Sequence, residues 1–450
     1  MKKVTMFVWN HFTNDARVNR ECTALSEKYD VNLIAIDDPK DDSVKPYEEI
    51  NPHFHVTRVR RYPLVITCYQ QDKNRFLITV GAVSTVISAA FLYINWMLLI
   101  YFASAMLMAA MMIKVRKFRK SFVNGAVIMR MTKEGYKQNA DIYHSNDLNT
   151  LPQGIVCSKL RLKPRKLVYD SHEVQSSRTG YNPKKIKRIE RFLLNFVDEM
   201  MVENHTRAKH NEDIYGFYPR TLYNYSELYN IDEKPAVNLH DKLGLPDNEK
   251  ILLYQGGLQQ GRGLELLIEA MPQITEGTLV FLGAGKLEKK LKELAAESPA
   301  KDRIKFIPKV HFKELPSYTR EAYLGFQVLQ NVCFNHYSAS SNKLFEYIMA
   351  HVPVVSCSFP EVKKVVEGEE VGIAVDSHSA AEIAAAVNQL LKNPALRNRM
   401  SENCKTAKLK YNWDVEQQKL FDTYTAVENK EVSWLSTDSS RFTKDGEALV

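Results

Sequence analysis

From Phe76 to Ile113 the chain runs 38 residues without a charged side chain, against the roughly 20 apolar residues that one membrane-crossing helix needs. Basic residues flank it on both sides: Lys73 and Arg75 before, Lys114, Arg116, Lys117, Arg119 and Lys120 after. The positive-inside tendency therefore places both ends in the cytoplasm. A single span would put the residues before and after it on opposite sides of a bilayer, where they could not share a sheet. The run is predicted to be a helical hairpin that turns near Asn95 and dips into or across the membrane. A pair of buried core helices is the competing reading.

At 450 residues the chain exceeds one ordinary core, so two domains are expected. Hydrophobic content of 45% with 25% charged residues excludes a disordered chain. A net charge of +8 suits anionic lipid or phosphorylated substrates, and no nucleic-acid motif accompanies it. The six cysteines are scattered, without a CxxC pair, which argues against a zinc site or disulfide framework and for a reducing compartment. The apolar run of MKKVTMFVWN is too short for a signal peptide and reads as a first buried strand.

Val4–Trp9, a helix from about Ala16 to Tyr29 and Val31–Ile36 make a βαβ unit, implying a parallel sheet with ligands at the strands' C-terminal ends. The intervening loop lacks GxGxxG, so a dinucleotide site there is not expected. Asp15 and Arg17 either line a cleft or are a helix-start Asp and a surface Arg. The acidic cluster around Asp37–Asp42 reads as solvated surface. Past the hairpin, strands end in His144, Ser145, Asn146 and Asp147, and in Asp170, Ser171, His172 and Glu173. His172 either contacts a substrate or caps a turn. Lys184, Arg188 and Arg191 share a helical face with Lys185 and Lys187 beside them, and residues 184–191 are expected to meet anionic lipid. Glu199–Glu203 and Thr221–Tyr225 read as further strands.

A polar stretch, 235–250, marks a linker, and a second α/β series follows. Its turn QGGLQQGRGLE sets Arg262 beside Gly256, Gly257 and Gly261, where close backbone approach and a bidentate cation suit a diphosphate. Gly283 and Gly285 follow another strand. In YSASSNKLFEYIMAHVPVV, Ser341 and Asn342 are N-cap types opening an apolar-periodic helix whose first N–H groups suit a phosphate. Lys343 on the diphosphate and Glu346 on ribose hydroxyls is one reading; a solvated Lys–Glu pair is the other. Arg262 and Lys343 would form a two-cation clamp needing no metal.

Three groups of motifs resemble the retaining glycosyltransferases of family 4, within the group 1 glycosyltransferases, and especially bacterial envelope and exopolysaccharide members. They are DARVNRECTALSEKYDV; DIYHSNDLNTLP with LVYDSHE; and LLYQGGLQQGRGLELLIEA, FLGAG and SSNKLFEYIMAHVPVV. The resemblance implies a GT-B fold, α/β with two facing Rossmann-like domains, the hairpin inserted in the first. The expected layout is an acceptor-side domain over 1–234, a nucleotide-sugar domain over 235–410, a helix over 411–432 crossing back from Trp413, and a tail over 433–450. It further implies Glu346 on the donor ribose, Arg262 and Lys343 on the diphosphate and His172 at the donor sugar; Gly257, Gly283, Gly285, Ser341 and Asn342 are expected around the nucleotide from their turns and helix start. No cofactor or metal is expected beyond the nucleotide-diphosphate-sugar donor; partners would be a lipid-linked or glycan acceptor and the cytoplasmic face of the cell membrane. Two departures stand out: the first of two family glutamates falls on Ser338, and an Arg common near the phosphates is Gly257. They keep open a non-catalytic nucleotide-sugar-binding subunit, with a GT-B epimerase or phosphorylase as a further alternative.

Overall fold

The computed structural model describes residues 1–429 apart from 14, 40, 42, 178–181 and 236; the expected tail over 433–450 lies outside the described residues. The chain divides into two compact units, Met1–Tyr169 and Asp170–Val450. The 234/235 boundary expected from composition falls inside the second.

In the first unit β1 (Lys2–Phe7), β2 (Tyr29–Ile36), β3 (Tyr47–Asn51), β4 (Phe54–Val59), β5 (Ile142–Asn146) and the start of β6 (Lys166–Ser171) lie in the order β3-β4-β2-β1-β5-β6. Val4 pairs in parallel with Val31 on one side and Ile142 on the other. At the edge β3 runs antiparallel to β4, and its YEEIN sequence is mostly exposed; charged residues suit an edge that must not pair further. Met6, Leu33, Ile34, Val56 and Tyr143 are sealed in the core. Asp15 caps the helix Ala16–Leu25 by accepting from the Val18 N–H at 3.1 Å. Arg17 is not a surface residue: it is buried and pairs with buried Glu21 at 2.9 Å.

The apolar run forms two helices, Lys73–Ile94 and Trp96–Lys114, turning on Asn95, with no residue of either buried. The helix Arg116–Gln138 follows and packs Val127 and Met131 into the unit.

In the second unit β7 (Glu199–Val202) pairs with a two-residue β8 (Arg220–Thr221). The longer strand expected over Thr221–Tyr225 is replaced by an aromatic stack. Tyr223 and Tyr225 rings lie 5.0 Å apart, and Tyr225 meets Phe345 at 4.5 Å. Ring packing, with Tyr223 donating to Glu361 at 2.9 Å, here outweighs the β-propensity of the tyrosines. A six-stranded sheet follows: β9 (Ile251–Gln255), β10 (Thr278–Leu282), β11 (Ile304–Ile307), β12 (Leu324–Gln327), β13 (Val354–Cys357) and β14 (Gly372–Val375), in the order β11-β10-β9-β12-β13-β14. Each adjacent pair is parallel. The runs ILLYQ, TLVFL and VVSC are buried throughout, as a sheet covered on both faces requires. One layer uses Leu267, Leu291 and Val387, the other Leu344, Ile348 and Val366. Strand order reverses between β9 and β12, and such a reversal opens a crevice at the C-terminal strand ends. The polar 235–250 stretch holds a short helix, Leu239–Leu243, anchored by buried Leu239. The last helix, Trp413–Asn429, is tied down by Trp413 N–H donating to the Ser226 carbonyl and Glu416 accepting from Tyr223 N–H, both at 2.9 Å.

The helix Asn342–Met349 stops at a left-handed His351, φ +59. Val352 N–H bonds the Tyr347 carbonyl at 2.9 Å and His351 N–H the Ile348 carbonyl at 3.0 Å, the pairing that normally takes glycine at this position. Burial also lowers the His351 pKa to about 4. His351→Gly should therefore stabilise the protein by about 1 kcal/mol at neutral pH. Its advantage should grow as pH falls from 6.5 toward 4, where the wild-type imidazole must be protonated on unfolding but resists protonation when folded. Urea unfolding at pH 7.5 and 5 measures both.

Candidate active site

The crevice at the β9/β12 reversal collects most of the residues expected from sequence. After β9 the backbone turns at Gly256, φ +122, where the space a Cβ would fill lies 3.3 Å from Lys343 Cε. Lys343 projects into it from the first turn of the helix Asn342–Met349. Its ammonium donates to the Tyr254 hydroxyl at 3.2 Å and sits 4.7 Å from that ring's centre; Tyr254 donates in turn to the Gly257 carbonyl at 3.0 Å. Lys343 is only 6% exposed, so the solvated Lys–Glu pair is ruled out. Burial pulls its pKa below the ordinary lysine value and the charge of Arg262 lowers it further, with Tyr254 and Glu346 opposing. Arg262 is half-buried, and its charge acts on both Lys343 and His336. The two cations proposed as a clamp thus share one locality.

Glu346 does not point at Lys343 as a partner in a surface pair. One of its oxygens accepts from the Gln255 side-chain amide at 2.7 Å, and Gln255 accepts from the Thr319 hydroxyl at 2.8 Å. Ser341 is the N-cap residue of the helix, yet its side chain makes no capping hydrogen bond, while the Asn342 side chain accepts from Asn224 at 2.7 Å. The helix start therefore keeps its dipole end beside the two cations.

The glycines divide into two kinds. A Cβ on Gly283, φ +152, would lie 1.9 Å from the Gly256 carbonyl oxygen, and one on Gly285 would lie 2.1 Å from that of Leu258. These two let the turns after β9 and β10 interlock, as in Leu258 N–H to the Ala284 carbonyl at 3.0 Å. Gly257 is different: a Cβ there meets only the Gln259 side chain, at ordinary contact distance. Sterics do not exclude the family's arginine at that position.

Two residues that the sequence did not single out belong to the same region. His336 leans on Gly261, where a Cβ would meet its ring at 2.8 Å, and its Nδ1 lies 3.2 Å from the Gln330 carbonyl. Burial first, then the charges of Arg262 and Lys343, lower its pKa. Its position just upstream of the Ser-rich loop was the available signal. Arg207 had none. It is buried, pairs with Glu203 at 2.5 Å, and its Nε donates to the Ser338 hydroxyl at 3.1 Å. Its remaining nitrogens reach the carbonyls of His172 and Asn335. Asn204 donates to the Ser338 carbonyl at 2.7 Å, and Asn335 both accepts from Val174 N–H (2.8 Å) and donates to its carbonyl (3.1 Å). These bonds stitch the His172 loop to the loop leading into the Lys343 helix. Ser338, fully buried, serves that clasp. His172 itself keeps some exposure, and its Nε2 lies 2.9 Å from buried Asp170.

Arg207→Ala should cost about 3–5 kcal/mol, because Glu203 loses its counter-charge and three acceptors lose a donor. Arg207→Lys, which keeps charge but not the fan of donors, should recover part of this in denaturant unfolding.

Residues 237–407 match the family model described as glycosyl transferases group 1. Over those residues the second unit is similar to the group 1 glycosyl transferases. Over 198 residues the chain is 25% identical to the D-inositol 3-phosphate glycosyltransferase of Xylanimonas cellulosilytica, a stretch covering 43% of this chain and 46% of that one. The chain thus spans about half the length of the curated relatives it matches. Among solved structures, the sucrose-phosphate synthase of Thermosynechococcus elongatus superposes with a TM-score of 0.70 at 16% identity, over 96% of this chain and all of that one. Anabaena HepE in complex with UDP-glucose gives 0.66 at 13% identity, over 95% and 100%. These likenesses show the fold, which is GT-B. Within the matched residues lie Arg262, His336, Lys343 and Glu346; His172 and Arg207 precede them.

Proposed function

We propose that the protein is a membrane-associated, retaining glycosyltransferase of family 4 type. It moves a sugar from a nucleotide-diphosphate donor onto a lipid-linked or cell-envelope glycan acceptor at the cytoplasmic face of the membrane. The observation that carries the reading is the gathering of Lys343 and Arg262, with His336, over a glycine turn at a helix N-terminus. Such a cluster is costly to hold without an anion.

As the glycosidic bond to the diphosphate breaks, negative charge develops on the leaving oxygen and positive charge at the anomeric carbon. Lys343, Arg262 and the helix dipole stabilise the former, and no metal is required. The acceptor hydroxyl then bonds to the same face of that carbon, and its proton passes to the departing diphosphate, which balances the exchange. Glu346, which accepts from Gln255, accepts also from the ribose hydroxyls in this reading. Gly257 lets backbone approach the nucleotide, Ser341 and Asn342 open the helix N-terminus toward it, Gly283 and Gly285 hold the interlocked turns around it, and His172, with Asp170 at 2.9 Å, meets the donor sugar. The apolar hairpin and the basic helix Pro183–Leu194, with Phe192 exposed beside Arg191, support attachment to anionic lipid. Incubation with a panel of nucleotide sugars and total membrane lipid, read by mass spectrometry, tests the reading. A glycosylated lipid or glycan product is expected; release of an epimerised sugar, or binding without any transfer, would contradict it.

A further inference from the structure

We infer that the hairpin crosses the whole bilayer and sets its Asn95 turn at the far headgroup layer, rather than dipping partway in or lying along the near surface. The inference rests on the membrane association proposed above and concerns how the bilayer is engaged. The arms hold 22 and 19 residues; without the charged ends at Lys73–Arg75 and Lys114, the uncharged stretches 76–94 and 96–113 run about 28 and 27 Å at 1.5 Å per residue, which matches a hydrocarbon core of about 30 Å. Between Arg75 and Lys114 neither arm carries a charged side chain on any face, and neither has a buried residue, whereas a helix lying in the interface needs a strongly polar or charged face.

The turn excludes a tip left within the hydrocarbon. Asn95 joins the helices alone in an extended conformation. It satisfies its own N–H on the Phe91 carbonyl (2.8 Å), its carbonyl with Leu98 N–H (3.0 Å) and its side chain with Met97 N–H (2.8 Å). The carbonyls that end the first arm and other N–H groups that open the second still need partners, and lipid chains offer none. A headgroup layer does. Tyr93, 94% exposed, and Trp96, 63% exposed, flank that turn, and such residues favour the membrane–water interface. The arms themselves are internally satisfied and paired: Thr85 donates to the Gly81 carbonyl at 3.0 Å, and Phe91 meets Phe102 edge-on at 5.7 Å. Lys73 and Lys114 then mark the near side, opposite the turn.

Cysteine accessibility tests this in the full-length protein, with exposed Cys68 replaced by serine to lower the background. Tyr93→Cys and Lys114→Cys are treated with a membrane-impermeant maleimide in intact cells, then after permeabilisation. Tyr93→Cys should label equally in both, and Lys114→Cys at least tenfold more after permeabilisation. If Tyr93→Cys labels only after permeabilisation or detergent while carbonate-washed membranes retain the protein, the crossing is wrong and membrane attachment stands. If carbonate washing releases the protein, the membrane reading itself fails.

Discussion

Lys343→Met is expected to raise the protein's unfolding midpoint while lowering turnover of the donor by about 10²–10³-fold, the usual effect of losing one preorganised charge donor. The two effects have one cause. Lys343 holds its ammonium at 6% exposure, bonded to Tyr254, without a carboxylate as its hydrogen-bond partner. Burial disfavours the charge, as its lowered pKa records. Methionine keeps the packing over Tyr254 and removes that cost. A group of this kind, with its folded pKa depressed, destabilises the protein below that pKa and ceases to do so as pH rises toward the ordinary lysine value. The stability gap between Lys343→Met and wild type should therefore narrow in alkaline buffer, and donor binding by wild type should weaken over the same range. Calorimetric unfolding and initial rates between pH 7 and 10.5 check both. A variant that loses stability and activity together would mean that Lys343 is merely structural.

Gly283→Ala should be the most damaging small substitution in the second unit. The added carbon would meet the Gly256 carbonyl oxygen at 1.9 Å, with the Gly256 carbonyl carbon and nitrogen close behind, and φ is +152. No side-chain rotation relieves either. The loss should exceed about 4 kcal/mol, beyond the usual range for a point change, and should be read by urea unfolding. Gly257→Ala is the control: its Cβ meets only the flexible Gln259 side chain, so stability should change by less than about 1 kcal/mol.

Much of this was legible because periodicity and turn chemistry are local. The charge-free run became two helices turning at Asn95, and ILLYQ, TLVFL and VVSC became buried parallel strands. What escaped was decided at long range. The edge strand β3, YEEIN, is short and charged, so its apolar pattern is weak. Tyr223 and Tyr225 look like strand residues but are claimed by Phe345 and Glu361. Arg207, within HTRAKHN, has the pattern of a solvated helix residue. Its function as a clasp comes from Ser338, 131 positions away. Ser338 itself read as a missing glutamate, whereas its hydroxyl is used between Arg207 and the Phe334 carbonyl.

The account depends on a cluster of cations that exists to hold a diphosphate. Titration calorimetry of wild type with UDP, GDP, ADP and dTDP in metal-free buffer, repeated on the Arg262→Ala/Lys343→Met double variant, tests it most directly. At least one nucleotide should bind wild type, and the double variant should bind it at least about 100-fold more weakly, given about 1.5–3 kcal/mol for each charged hydrogen bond lost. Equal affinity in the two proteins, or no binding to wild type by any of the four, would contradict the account.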